Sequence, residues 1–175
     1  MMGLGKIACM SDRLESRIAQ SEAVRKGLMN RVALLSEEKQ RTKPKPGDFS
    51  ALDMLGHMAI VEDLSVSFIN PTLESGLNSK PAKPNFLYRV IMKGMTKGRK
   101  VPTSKEFEPR FTPTLEAVTE HWDGSRAKIL AHLRAHPNDP TAIRHKLFGR
   151  LSAFQLLDLL DGHCGYHDIQ FPIKQ

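Results

Sequence analysis

Four stretches of this chain bring their apolar residues round every three or four positions, and none alternates them from one residue to the next. The first pattern is that of a helix with one buried stripe; the second would be that of a half-buried strand. A chain carrying only the first must bury helices against helices, so the expected class is all-α. A length of 175 residues suffices for one domain with a sizeable core. The expectation is a single domain over residues 1–175, with its core at about 11–171.

The first helix is expected from about Ser11, a capping residue, to Leu35, with Leu14, Ile18, Leu28, Val32 and Leu35 on one stripe. Arg41 to Gly47, which holds two prolines, reads as a linker. Ser50 and Asp53 have the spacing of a capping box, and Phe49 can staple onto Met54. This second helix should reach Asn70 and stop at Pro71, with Met54, Met58, Val61, Leu64 and Phe68 on one face. Residues 71–113 then form a long connection with one short helical candidate, Phe86 to Met95, marked by Leu87, Val90, Ile91 and Met95. A third helix is expected from Thr112-Pro113 to Pro137, burying Leu115, Val118, Trp122, Ile129 and Leu133. Ser152 and Gln155 suggest a second capping box, opening a fourth helix to about Gln170. Four such helices predict a four-helix bundle, and the long second connection fits a crossover.

The charge is uneven. Between Lys80 and Arg110 stand nine Lys and Arg against two acids, Glu106 and Glu108, which equals the +7 net charge of the whole chain. One basic segment over a neutral body reads either as a solvated connection or as an electropositive flap that attracts an anionic ligand. A nucleic-acid partner is not expected: there is one Trp, two Tyr and no aromatic interleaving along the basic segment. No apolar run approaches the roughly 20 residues of a membrane span, and no membrane association is expected. Residues 1–10 make a poor secretory signal, and two cysteines are too few for a disulfide framework. The expected compartment is a reducing cytoplasm.

His163 and His167 are four apart and stand one above the other on the fourth helix, inside the stripe of Leu156, Leu157, Leu159, Leu160 and Cys164. His57 falls between Met54 and Leu64 on the apolar face of the second helix. Three imidazoles therefore point into the expected core. Two readings stand. They are core histidines satisfied by protein acceptors, or they complete one face of a divalent cation's shell and leave positions open. With seven histidines in the chain, a pair at this spacing also arises by chance. His132 and His136 share the spacing, but lie at the end of the third helix beside Pro137, where imidazolium would favour the helix terminus.

The segment Phe49-Ser50-Ala51-Leu52-Asp53-Met54-Leu55-Gly56-His57-Met58 resembles the aromatic-Ser…Leu-x-His-hydrophobic signature of the DinB-like superfamily. Phe148-Gly149-Arg150-Leu151-Ser152, followed by His163-Cys164-Gly165-Tyr166-His167-Asp168-Ile169-Gln170, resembles its closing motif, a Gly before a capped helix and then His-x3-His-x2-Gln. Phe49 stands where Trp is common in the superfamily. The resemblance implies an up-down-down-up four-helix bundle with a divalent metal, zinc or nickel, held by His57, His163 and His167. It further implies a transferase dependent on a low-molecular-weight thiol, or a hydrolase, acting on a small molecule, for which an anionic one would suit the basic segment. The alternative is a non-enzymatic metal-binding or partner-binding bundle. Bundles of this type frequently pair through an exposed helical face, so a homodimer fits.

Glu62, Asp63, Asp161 and Asp168 flank the histidines, and any could orient an imidazole, although solvated surface positions are the plainer expectation. No catalytic base is assigned among them. Cys164 points well away from either neighbouring ligand and reads as a core thiol. Met29, Met54, Met58 and Met92 read as core filler, and Arg150 as a candidate for the mouth of the site.

Overall fold

The computed structural model describes residues 4–97 and 114–170. The elements follow the order α1 (Leu4–Ala33), α2 (Glu37–Arg41), α3 (Ala51–Ser67), α4 (Ile69–Glu74), β1 (Lys83–Pro84), α5 (Phe86–Met95), α6 (Leu115–Ala135), β2 (Ile143–His145), β3 (Gly149–Leu151) and α7 (Ala153–Gln170). The chain is mainly helical, as its periodicity predicts.

Both capping boxes form. Ser50 Oγ accepts from the Asp53 amide at 3.1 Å while Asp53 accepts from the Ser50 amide at 3.0 Å. Ser152 and Gln155 exchange the same pair of bonds at the start of α7. These bonds satisfy amides that have no partner within the helix. Phe49 packs with Met54 in one core cluster, and Asn85 caps α5 by accepting from the Tyr88 amide.

Several boundaries differ from expectation. Helix α1 begins at Leu4, so Ser11 lies inside it as an exposed residue rather than a cap. Gly5 is carried in the first turn without stopping the helix, no proline separates the two positions, and a capping residue inside a helix simply turns outward. Arg41, expected to open the linker, is the last residue of the short helix α2, which Ser36 caps. Pro71 does not end a helix: the break falls at Phe68, and Pro71 occupies the first turn of α4, where a missing N–H removes no bond. Helix α6 is capped by Thr114; Thr112 and Pro113 lie outside the described residues, as do Pro172 and the basic residues from Arg99 to Arg110. The all-α expectation has to be corrected: a three-stranded antiparallel sheet forms in the order β1-β3-β2. Its strands are two or three residues long, too short to display a period.

Ion pairs fix how the long helices run. Arg17 reaches Asp158 and Asp161, and Arg31 reaches Asp168, so α1 and α7 run side by side in one direction. Arg134 pairs with Glu15 and Arg25 with Asp123, so α6 runs against α1. The apolar core has two ends. One joins Leu28, Val32, Met54, Leu55, Met58, Val118, Trp122 and Cys164; the other joins Leu14, Ile18, Ile129, Leu133, Leu156, Leu157 and Leu160 to the sheet residues Ile143 and Leu151. Tyr88, Ile91, Met92 and Met95 of α5 lean on the second end, whereas Leu87 and Val90 face outward.

Candidate metal centre

His57 comes from the middle of α3, and His163 and His167 from consecutive turns of α7. The two helices pack against each other, so the rings meet inside the bundle. The Nε2 atom of His163 lies 3.2 Å from that of His57 and 3.0 Å from that of His167. One nitrogen from each ring falls within 4.8 Å of the others. His57 and His167 are buried and His163 is half-buried. Phe49 leans on the His57 ring with centroids 5.5 Å apart, and Tyr166 lies 4.9 Å from the His167 ring. The aromatic ahead of the first cap thus both staples α3 and walls the histidines.

The electrostatics favour neutral imidazoles. Burial, and then the neighbouring His167 and His57 rings, hold His163 well below the usual histidine range. Burial and then His57 push His167 down to about 3. Three imidazoles with converging nitrogens, two of them held neutral by burial, are a donor set for a divalent cation. Ligand nitrogens about 2.0–2.1 Å from a common ion stand roughly 3.0–3.4 Å apart, the spacing of the two close pairs here.

The flanking acids are engaged elsewhere. Glu62, expected at the surface, is fully buried; it accepts from Trp122 Nε1 at 2.6 Å and from Arg126 Nε at 2.8 Å. Arg126 also donates to Ser21, which bonds Asp161, and Arg17 binds that same carboxylate. Asp63 is bonded by His121 and Ser125, and Asp168 by Arg31. The buried Glu62–Arg126 pair is not foreseen because in its second half α3 buries the line Ala59, Glu62 and Ser65, while Val61 and Leu64 of the expected face are only half-buried. Trp122 and Arg126, four apart on a buried stripe, were the available signal for a partner acid.

Cys164 is a free buried thiol, as expected, and burial followed by the Glu62 carboxylate pushes it up to about 12. Met54 and Met58 are core residues. Arg150 is not at the histidines: it lies on β3 with Nε donating to the Pro81 carbonyl, and α7 rises about 15 Å from its first residue to His163. His132 and His136, which share the four-residue spacing, behave differently. His132 is buried with Nε2 bonded to the Ala142 carbonyl at 2.8 Å, and burial lowers its pKa, so it is not the imidazolium expected of a helix terminus. His136 sits 3.3 Å from Asp139.

Residues 20–171 match the family model of the DinB superfamily. The chain belongs to the DinB superfamily. The match spans most of the chain and includes both histidine-bearing helices. No curated protein and no solved structure matches the chain. This DinB-superfamily bundle thus carries a buried His57/His163/His167 triad able to hold a metal ion.

Proposed function

We propose that this protein is a metal-dependent transferase that uses a low-molecular-weight thiol, with His57, His163 and His167 holding a divalent cation, zinc or nickel. The single observation that carries the reading is the meeting of three Nε2 atoms from two helices, with two contacts of 3.0 and 3.2 Å, in a largely buried setting. Three protein ligands are the complement of a catalytic rather than a closed structural site. The frame would be the up-down-down-up bundle: the ion pairs of α1 with α6 and α7 support it, as does the clustering of the first halves of α3 and α6 at the same end of the core.

A divalent cation held there would lower the pKa of a bound thiol or water and polarise a carbonyl. The chain's own part is to hold the three rings aimed inward, with His163 and His167 kept neutral by burial, and to exclude bulk water with Phe49 and Tyr166. Hydrolysis would in addition require a general base near the site. Glu62, Asp63, Asp161 and Asp168 are each tied to other partners, which favours the thiol route. The protein would act in a reducing cytoplasm on a small molecule. No described helix is long and apolar enough to cross a membrane.

The test begins with metal analysis of the purified protein. Equimolar zinc or nickel is expected, with loss in His57→Ala and in His167→Ala and retention in His132→Ala. The loaded protein is then assayed with a panel of low-molecular-weight thiols and an electrophilic acceptor. Metal content unchanged by the His57 substitution refutes the ligand set; full activity without any thiol refutes the transferase in favour of hydrolysis.

A further inference from the structure

The sheet carries an arrangement that the metal centre does not use. In the β1-β3-β2 ladder Lys83 lies opposite Arg150, and Arg150 opposite Arg144. Residues directly opposite in an antiparallel ladder project to the same side. Ile143, His145 and Leu151 are buried, so that side is the outer one. The outer side of the sheet is therefore a row of three cations. Like charges placed side by side destabilise a sheet. The fold retains the row nonetheless, with Arg150 braced on the Pro81 carbonyl.

The surroundings add more of the same sign. Segments 80–97 and 142–151 form β1, α5, β2 and β3 and contain eight Lys and Arg and no Asp or Glu. Those eight cations exceed the net charge of +7 of the entire chain. Asp158, the acid whose field reaches Tyr88 on α5, is itself bound to Arg17.

Beside the row stands an apolar patch. Phe86 is 80% exposed, Leu87 41%, Val90 45% and Leu147 47%. The patch is continuous across two elements. Asn85 donates its side-chain amide to the Leu147 carbonyl at 2.7 Å and its backbone amide to the Phe148 carbonyl at 2.9 Å, which sets the β2–β3 turn against the first turn of α5. The opposite face of α5 is anchored in the core through Ile91, Met92 and Met95, and Met92 lies so close to Gly162 of α7 that a Cβ there would be 3.1 Å from its methyl. The outward face is thus held rigidly outward.

We propose that the outer face of the sheet together with the first turns of α5 docks on an anionic phospholipid surface. Phe86, Leu87, Val90 and Leu147 enter the interface, while Lys83, Arg144, Arg150, Arg89 and Lys93 meet the headgroup phosphates and carboxylates. Such a pairing of exposed apolar side chains with a cationic rim is the chemistry of interfacial binding. Nucleic acid satisfies the cations but offers nothing to Leu87, Val90 and Leu147, and a lipid interface satisfies both. The docking face is the outward one; the inward face of α5 reaches Gly162, next to His163, and takes no part in the proposal.

The full chain is sedimented with vesicles of phosphatidylcholine alone and of phosphatidylcholine mixed with phosphatidylserine, at low and at physiological salt. Binding is expected to the mixed vesicles only, and to weaken with salt. Lys83→Glu with Arg144→Glu should lower the affinity by more than about 25-fold, on the basis of about fivefold per cation. Phe86→Ser with Leu147→Ser should lower it by more than about tenfold. Unchanged far-UV circular dichroism confirms that these surface variants fold. Equal binding to neutral vesicles, absence of binding, or variants that bind like the parent would each overturn the proposal. So would binding of random duplex DNA but not of vesicles, or a dimer that Phe86→Ser splits in a protein that ignores vesicles.

Discussion

Glu62 and Arg126 meet where neither touches water: they are 0% and 1% exposed. Glu62 also accepts a hydrogen bond from the Trp122 indole, so its two oxygens join α3 to α6 at two successive turns of the latter helix. Removing one partner strands the other's charge in the core. Glu62→Gln is therefore expected to cost about 3–5 kcal/mol in urea unfolding, and Glu62→Leu with Arg126→Met to cost less than that single change. A double variant as unstable as the single one would contradict this. His145 is a different case. It stacks on Phe148 at 4.5 Å between centroids, accepts from the Leu147 amide at 3.1 Å, and burial pushes it down from 6.5 to about 4. The unfolded chain then binds a proton that the native state refuses. Stability is fully present above about pH 6.5 and is lost as pH falls towards 4, by an amount on the order of 3 kcal/mol. Thermal melts of the parent and of His145→Asn between pH 7 and 4.5 check this, and the variant should have the flatter profile.

At the scale of elements, the helices were readable because their signals are local. Ser50 with Asp53 and Ser152 with Gln155 sit three apart in sequence and close their bonds within one turn. The span Phe86–Met95 was readable for the same reason. The sheet was not, because its meaning lies in pairing across distance: Lys83 finds Arg150 over a long stretch of chain, and a two-residue strand has no period. The same holds for Glu62, whose burial depends on helices that α3 does not know about locally. Histidines 57, 163 and 167 were readable only in part. Their stripes placed them inward, but the contact between the helices decided that they meet. Gly149 belongs to the sheet's logic. It adopts φ +82, and a Cβ on it would lie 2.7 Å from the Lys83 carbonyl oxygen, a backbone atom fixed by the ladder. Gly149→Ala should lose on the order of 2 kcal/mol or more in denaturant unfolding, against a gain of about 0.5–1 kcal/mol for Gly27→Ala, a glycine inside α1 whose added methyl meets nothing within 4 Å. Equal effects at the two glycines would refute the assigned register.

At the scale of the molecule, the three histidines bridge elements that differ in how well they are otherwise joined. Helix α7 is tied to α1 by three ion pairs and α3 to α6 by the Glu62 network, so the bundle consists of two firmly held pairs. His57 stands on one pair, and His163 and His167 on the other. A cation held by all three therefore clamps pair to pair. A ligand that binds only the folded state stabilises it by mass action, about 2.7 kcal/mol at a free concentration one hundred times its dissociation constant. Protein stripped with a chelator should consequently melt at a lower temperature than the same protein given zinc or nickel, and the gain should grow with metal concentration. His57→Ala should erase the gain even though both α7 histidines remain, because the clamp then grips only one pair. Calcium, which prefers oxygen ligands, should leave the melting temperature of the parent unchanged. A rise with zinc that survives in His57→Ala would place the ion elsewhere, and the two helix pairs would then be joined by apolar packing and by the polar contacts of α1 with α6, Arg25 to Asp123, Arg134 to Glu15 and Arg126 to Ser21.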